Sequence, residues 1–240
     1  MTLSGDWGSL KFNGSGSSSA LGAVDDVMPN AYEESWDILD TDGTNTTGSP
    51  LTIGGGGGAN MFIYTSPSFA GATVTMAYQN DGGAAAVEDS YTDFAIAYSP
   101  EMVEGLTVGY ARASQNAGVN IDVEKSTGYI KYATGGFTVG YQISEADHDT
   151  VSSSADVVAY GVSYAVNDDF SIGYHSHTYE PDSGTSATGK GTADQESTGI
   201  SASYTLGGMT LAGAMNETDN SRGVPTNDFE SYEFNLSFAF

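Results

Sequence analysis

The chain has no cysteine, only six basic residues and only six prolines among its 240 positions. Without cysteine there are no disulfides, no thiolate metal sites and no cysteine nucleophile. That absence leaves the compartment open, since a cell-surface protein can do without disulfides. Six Lys and Arg against 31 Asp and Glu give a formal net charge of -25. Nucleic acid is thereby excluded as a partner, because phosphate binding needs clustered cations. No apolar run approaches the ~20 residues of a membrane-crossing helix, and the mean hydropathy is -0.24. Helical membrane proteins are excluded. Strands that cross a membrane are not, because they are short and apolar only at every second position. Met1-Thr2-Leu3-Ser4-Gly5 has neither the basic nor the apolar stretch of a secretion signal. If exported, the chain reads as mature, truncated or engineered at its N-terminus.

What is present points to strands. Glycine (32), tyrosine (15) and phenylalanine (10) are abundant, unlike disordered chains, which are poor in aromatics. Apolar residues alternate with small or polar ones. Ala72, Val74, Met76 and Tyr78 interleave with Thr73, Thr75, Ala77 and Gln79. Phe137, Val139, Tyr141 and Ile143 interleave with Thr138, Gly140, Gln142 and Ser144. The same rhythm recurs at 106–111, 158–164, 170–174, 200–204, 209–215 and 232–240. Since successive strand side chains point to opposite faces, each segment has one apolar face and one small or polar face. No long helical pattern competes.

The connections alternate in length. Short turns are predicted at Gly5–Gly8, Ser66–Ala70, Ser99–Gly105, Thr134–Gly136, Val166–Asp169 and Leu206–Gly208. Longer polar stretches lie at 14–59, 79–89, 115–125, 145–155, 179–196 and 217–228. Short turns on one side and long loops on the other are the pattern of an outer-membrane barrel. The predicted class is all-β: a transmembrane antiparallel up-and-down β-barrel with about twelve strands after Gly8, preceded by a strand end at Met1–Ser4. Residues 1–240 form a single barrel domain, with 14–59 inserted as a loop.

Tyrosines mark both ends of these strands. Tyr78, Tyr110, Tyr141 and Tyr174 fall near the long-loop ends; Tyr64, Tyr98, Tyr132, Tyr164 and Tyr204 fall near the short turns. All share the apolar parity, as two interfacial girdles would require. With the apolar face outward, the inner face is Thr, Ser, Gly, Gln and Ala. Small polar groups leave a wide barrel unfilled, so a water-filled pore is expected rather than a packed core.

Loops as long as 14–59 usually serve a function. This one carries Asp25, Asp26, Glu33, Glu34, Asp37, Asp40 and Asp42 with no Lys or Arg, a short helical piece around Ala31–Leu39, and a closing run Gly54–Gly58. Either it is a solvated surface loop, or it folds into the lumen and sets a negative field at a constriction. Of the basic residues, Lys11 and Lys131 point inward by parity. Arg112, Lys125, Lys190 and Arg222 are expected at strand ends or in loops.

The segment Leu3-Ser4-Gly5-Asp6-Trp7-Gly8-Ser9-Leu10-Lys11-Phe12, followed by Ala20 to Asp26, resembles the strand–turn–strand and third loop of alphaproteobacterial general porins. The end of the chain, with Tyr232, Phe234, Leu236, Phe238 and Phe240 on one face, resembles the terminal strand read by the barrel-assembly machinery. The resemblance implies a barrel of about sixteen strands, of which about three and a half precede Met1 and are missing. It further implies a homotrimer in the outer membrane, with lipid and lipopolysaccharide around it, and a third loop that folds inward. Asp25, Asp26, Glu33, Glu34 and Asp37 would then line the pore constriction. A smaller barrel closed between Ser9–Asn13 and the C-terminal strand is the alternative to a fragment.

Other chemistry is sparse. His175 and His177, two apart on one strand, face the same way and could begin a metal site, but no third ligand is evident. His148, between Asp147 and Asp149, is expected in a solvated loop. Asp40-Thr41-Asp42-Gly43 begins like a calcium loop without its remaining ligands, so calcium near Asp40 and Asp42 stays open. There is no Gly-x-Ser-x-Gly elbow, Gly54–Gly58 lacks the residues of a phosphate loop, and nothing suggests an organic cofactor. The expected function is non-enzymatic: passive diffusion of small hydrophilic solutes and ions, preferring cations. The alternative is a structural or adhesive surface barrel whose acidic loops bind cations or partners.

Overall fold

The computed structural model describes residues 1–14, 17–36, 52–58, 60–80, 89–117, 122–149, 154–182 and 191–239. Along them run β1 (Thr2–Gly5), β2 (Gly8–Asn13), β3 (Ser17–Ser18), β4 (Gly57–Gly58), β5 (Met61–Thr65), β6 (Ala72–Gln79), β7 (Asp89–Tyr98) and β8 (Leu106–Ala117). They continue with β9 (Asp122–Thr134), β10 (Phe137–His148), β11 (Ala155–Ala165), β12 (Phe170–Pro181), β13 (Gln195–Leu206), β14 (Met209–Asp219) and β15 (Phe229–Phe238). Thirteen strands are hydrogen-bonded in chain order as one up-and-down antiparallel sheet, from β1 and β2 through β5 to β15. The two-residue strands β3 and β4 pair with each other. Class and strand order are those expected from alternation. Both edges of β2 are taken, Lys11 standing opposite Thr2 of β1 and Ile63 of β5. The closure of β2 on the C-terminal strand that the sequence allowed is therefore not formed.

By packing, the chain divides into two units. One comprises Met1–Val27, Ile53–Ile130 and Ile143–Ala155; the other comprises Met28–Thr52, Lys131–Gln142 and Asp156–Phe240. In the first, the buried side chains lie on the face of small residues. Ala77, Ala95, Ala111 and Ala113 form a platform on which Leu21 and Ala20 are fully buried, with Met61 and Tyr91 beside them. The opposite face exposes Phe62, Met76, Phe94, Ile96 and Tyr110. In the second unit the same division holds: Val139, Tyr141, Ile172, Ile200, Leu211 and Met215 are exposed, while Ala159, His175, Ser201 and Ala214 are buried. The face covered by the loop is called the inner face below.

The short turns fall where predicted. Gly71 shows why glycine is needed there: its φ is +84°, and a β-carbon would lie 2.2 Å from the Ser99 carbonyl oxygen. The other side differs from expectation. β8 runs to Ala117 and β9 starts at Asp122, so most of the predicted 115–125 loop is strand. His148 likewise ends β10 rather than lying in a loop, and its N–H donates to Ser154 Oγ at 3.0 Å. Arg112 and Lys125 are inside β8 and β9, not at their ends. The reason is that strands extend past the apolar band. There both faces are polar, and the alternation that revealed the strand vanishes while its hydrogen-bond ladder continues. The helix expected around Ala31–Leu39 is also not formed over its described part; 31–36 is irregular, and a 3-10 turn lies earlier in the insertion, at Leu21–Ala23.

Candidate functional site

The described parts of the long insertion lie along the inner face of each unit, and their acids are Asp25, Asp26, Glu33 and Glu34; Asp37, Asp40 and Asp42 fall outside the described residues. In the first unit the segment 19–25 is anchored through polar groups of β7. The Leu21 N–H donates to Asp93 Oδ2 at 2.7 Å, and the Tyr91 hydroxyl donates to the same oxygen at 2.9 Å. With its proton spent on Asp93, the Tyr91 oxygen is the acceptor in the 3.1 Å contact with Ser19 Oγ. Ser19 Oγ in turn accepts from the Gly22 N–H at 3.2 Å.

The returning segment of the loop packs against this turn. Gly55 approaches Gly22 so closely that a β-carbon would sit 2.1 Å from the Gly22 nitrogen. The Gly55 N–H donates to Asp25 Oδ2 at 2.7 Å, and Lys125 Nζ donates to the Gly54 carbonyl at 2.9 Å. Burial pushes the Asp25 carboxyl above the ordinary carboxylate range; the Gly55 hydrogen bond and the Lys125 charge oppose that shift without cancelling it. Asp26 is exposed at the next position.

In the second unit the segment 28–36 is seated on glycines. A β-carbon at Gly140 would lie 2.6 Å from Pro29 Cδ, one at Gly161 2.6 Å from the Pro29 carbonyl oxygen, and one at Gly173 2.7 Å from the Ala31 nitrogen. On β10, β11 and β12 these residues leave the space the loop occupies. Polar contacts then fix it. The Ala31 N–H donates to Ser201 Oγ at 3.1 Å, Tyr32 donates to the Glu233 carboxylate, and Asn30 donates to the Glu34 carboxylate. The Tyr32 hydroxyl is pushed up to about 12, first by that bond to Glu233 and then by desolvation and the Glu33 charge.

His175 and Trp36 complete the seat. The Ser35 N–H donates to His175 Nδ1 at 2.8 Å, and His175 Nε2 meets the Glu33 carbonyl oxygen at 2.7 Å. Trp36 stacks on His177 with ring centroids 4.8 Å apart and meets His175 edge-on at 5.6 Å. His175 does not form the metal edge that the two histidines could have begun: both its nitrogens are committed to the loop. Among the described residues no group of three His, Cys, Asp or Glu is placed to hold a metal.

Lys11 is exposed and Lys131 half-buried, each with the parity of the inner face. Sequence reasoning missed Lys125, which shares that parity, as well as Tyr91, Asp93 and Glu233. Inward acids on a small-residue face were the available signal. On the other face, Tyr78, Tyr98, Tyr110, Tyr132, Tyr141, Tyr174 and Tyr204 are exposed, and Tyr64 and Tyr164 are half-buried. Trp7 stacks beside Tyr64 and Phe137 on Tyr164. On β15, Tyr232, Phe234, Leu236 and Phe238 are all exposed; Phe240 lies outside the described residues. Arg112 pairs with Glu124 on the same face.

Comparison with known proteins agrees with this architecture. The sequence model for Gram-negative porins matches residues 1–224. A porin structure refined at 1.8 Å is similar over 100% of this chain and 80% of its own, with a TM-score of 0.70 at 18% identity. The anion-selective porin from Comamonas acidovorans is similar over 92% of this chain, with a TM-score of 0.62 at 16% identity; the chain spans 66% of that porin's length. OmpT, an outer membrane protein of Vibrio cholerae, is similar over 97% of this chain and 72% of its own, with a TM-score of 0.61 at 12% identity. No curated protein sequence matches. Sheet order and family match lead to one assignment, and the chain belongs to the Gram-negative porin family.

Proposed function

We propose that this chain forms a water-filled pore for passive diffusion of small hydrophilic solutes and ions, that segment 19–36 narrows it, and that the carboxylates on that segment make it prefer cations. The observation carrying this reading is the placement of the segment. It is anchored on the inner face of each unit, and it bears Asp25, Asp26, Glu33 and Glu34 with no basic residue. A fixed negative charge on a constriction concentrates cations and repels anions, and the effect fades as salt screens it. Selectivity follows local charge and not fold, so the anion preference of the Comamonas porin does not transfer. No catalytic step is part of this function.

Several partners follow from the same reading. The exposed apolar face meets outer-membrane lipid and lipopolysaccharide, and the exposed apolar residues of β15 serve recognition by the barrel-assembly machinery. Assembly as a homotrimer is supported by a solved trimer form of the OmpT relative. The test is reversal potential in planar bilayers under a salt gradient. Wild-type channels are expected to favour cations at low salt and less so at high salt. The combined variant D25N/D26N/E33Q/E34Q is expected to lose most of that preference. Anion preference in the wild type, or an unchanged reversal potential in the variant, refutes the charge-filter reading; a folded barrel that never conducts refutes the pore and favours the adhesive alternative.

A further inference from the structure

Glu33 to Trp36 are held to β12 by a histidine whose bonding admits a single protonation state. His175 is fully buried. Its Nδ1 accepts the Ser35 N–H, so Nδ1 must carry a lone pair; its Nε2 faces the Glu33 carbonyl, an acceptor only, so Nε2 must carry the proton. The neutral Nε2–H tautomer satisfies both. A second proton converts Nδ1 from acceptor to donor, facing another donor at 2.8 Å, and leaves the Ser35 N–H without its partner.

His177 is the second histidine on this face and behaves differently. Its ring stacks on Trp36 and its Nδ1 makes no hydrogen bond, so protonation there breaks no bond to the loop. Besides His177, the titratable groups on the inner side of the elements about His175 are, among the described residues, Tyr32, Glu33 and Glu34 of the loop, Tyr179 of β12 and Glu233 of β15. β13 and β14 place Gly199 and Asn216 in its cross-strand row, and the buried side of β11 carries Ala155, Val157 and Ala159, none of which titrates. Glu233 already accepts from Tyr32, and Glu34 accepts from Asn30. None of these carboxylates accepts the Ser35 N–H, which goes to His175 Nδ1.

We propose that His175 is an acid-sensitive latch: protonation of Nδ1 breaks its bond to Ser35 and releases the Glu33–Trp36 segment from β12. Its consequence for current rests on the pore reading; the release itself does not. Trp36 provides the readout, being 6% exposed in the latched state. Trp7 is the other tryptophan of the chain, so W7F leaves Trp36 as the sole tryptophan, excited selectively beyond the tyrosine absorption.

The experiment is acrylamide quenching of Trp36 fluorescence in the full, detergent-folded W7F chain, from about pH 8 to about pH 4, across the ordinary imidazole value near 6.5. The quenching constant is expected to be small at the neutral end and to rise several-fold on acidification, with the β-sheet circular dichroism unchanged. H175Q, which keeps an acceptor and a donor but does not titrate, is expected to abolish the step, and H177Q to retain it. The latch is overturned by a flat wild-type profile, by a step that survives H175Q, by one lost only in H177Q, or by one that coincides with loss of sheet signal. Parallel bilayer recordings separate the two readings. A quenching step in a barrel that never conducts leaves the latch and removes the pore, whereas conducting channels without a step remove the latch alone.

Discussion

Asp93 is the group whose removal should most directly free the inner-face segment 19–25 in the first unit. One carboxylate oxygen accepts both the Leu21 N–H at 2.7 Å and the Tyr91 hydroxyl at 2.9 Å, while its other oxygen is buried without a partner. Only the Leu21 bond joins the segment to β7, since Tyr91 and Asp93 both belong to that strand. A hydrogen bond to a charged group contributes about 1.5–3 kcal/mol. At 1.4 kcal/mol per factor of ten, its loss in D93A lowers the ratio of anchored to released segment about 10- to 140-fold. Leu21 remains an apolar plug on its alanine platform, so the barrel itself is expected to fold. Single-channel recording is the assay: D93A should show larger or noisier openings and weaker cation preference than wild type, with D93N, which keeps an acceptor, in between. Folded D93A channels with wild-type conductance, noise and selectivity would refute the claim that this carboxylate anchors the segment.

Two further outcomes test the site from other directions. In K125M the positive charge that holds the Asp25 carboxyl down is gone, while the burial that raises it stays. Asp25 then takes up its proton at a higher pH, so on acidification the cation preference measured by reversal potential should begin to fall at a higher pH than in wild type; an unshifted profile contradicts the assigned coupling. In G161V a side chain is forced into the place of the Pro29 carbonyl. Overpacking of this kind costs about 1–3 kcal/mol, and the variant should show lower thermal stability or a displaced segment seen as altered conductance. Wild-type values for both would mean that the glycine seat is not required.

Much of this architecture was legible because a half-buried strand writes its geometry into every second residue. Leu106, Val108 and Tyr110, or Phe234, Leu236 and Phe238, announce which face meets an apolar surroundings whatever the neighbouring strands do. Strand ends differ from expectation where that contrast disappears, as at Gln115–Ala117 of β8 and Asp122–Lys125 of β9, since polar residues on both faces look like loop. The loop was harder still. Asp25, Asp26, Glu33 and Glu34 were visible as a run of acids without counterions, but an acidic run reads the same in solvent as on an inner wall. Its partners stand far away in sequence: Asp93 lies 72 residues from Leu21, and His175 140 residues from Ser35. The pattern puts Lys125 at a strand end or in a loop because its strand begins earlier than its alternation does.

By itself, then, the sequence determined the class, the strand order, the apolar outer face and the excess of negative charge, all of which are local or additive properties that alternation and composition carry. Tertiary structure alone decided where that charge sits. Gly140, Gly161 and Gly173 are unremarkable small residues on an inner face until Pro29 and Ala31 lie against them, and His175 is an ordinary inward histidine until Ser35 and Glu33 occupy its two nitrogens. Such contacts depend on chain closure over long separations, and no short-range pattern encodes which small residues become a seat and which stay open to water.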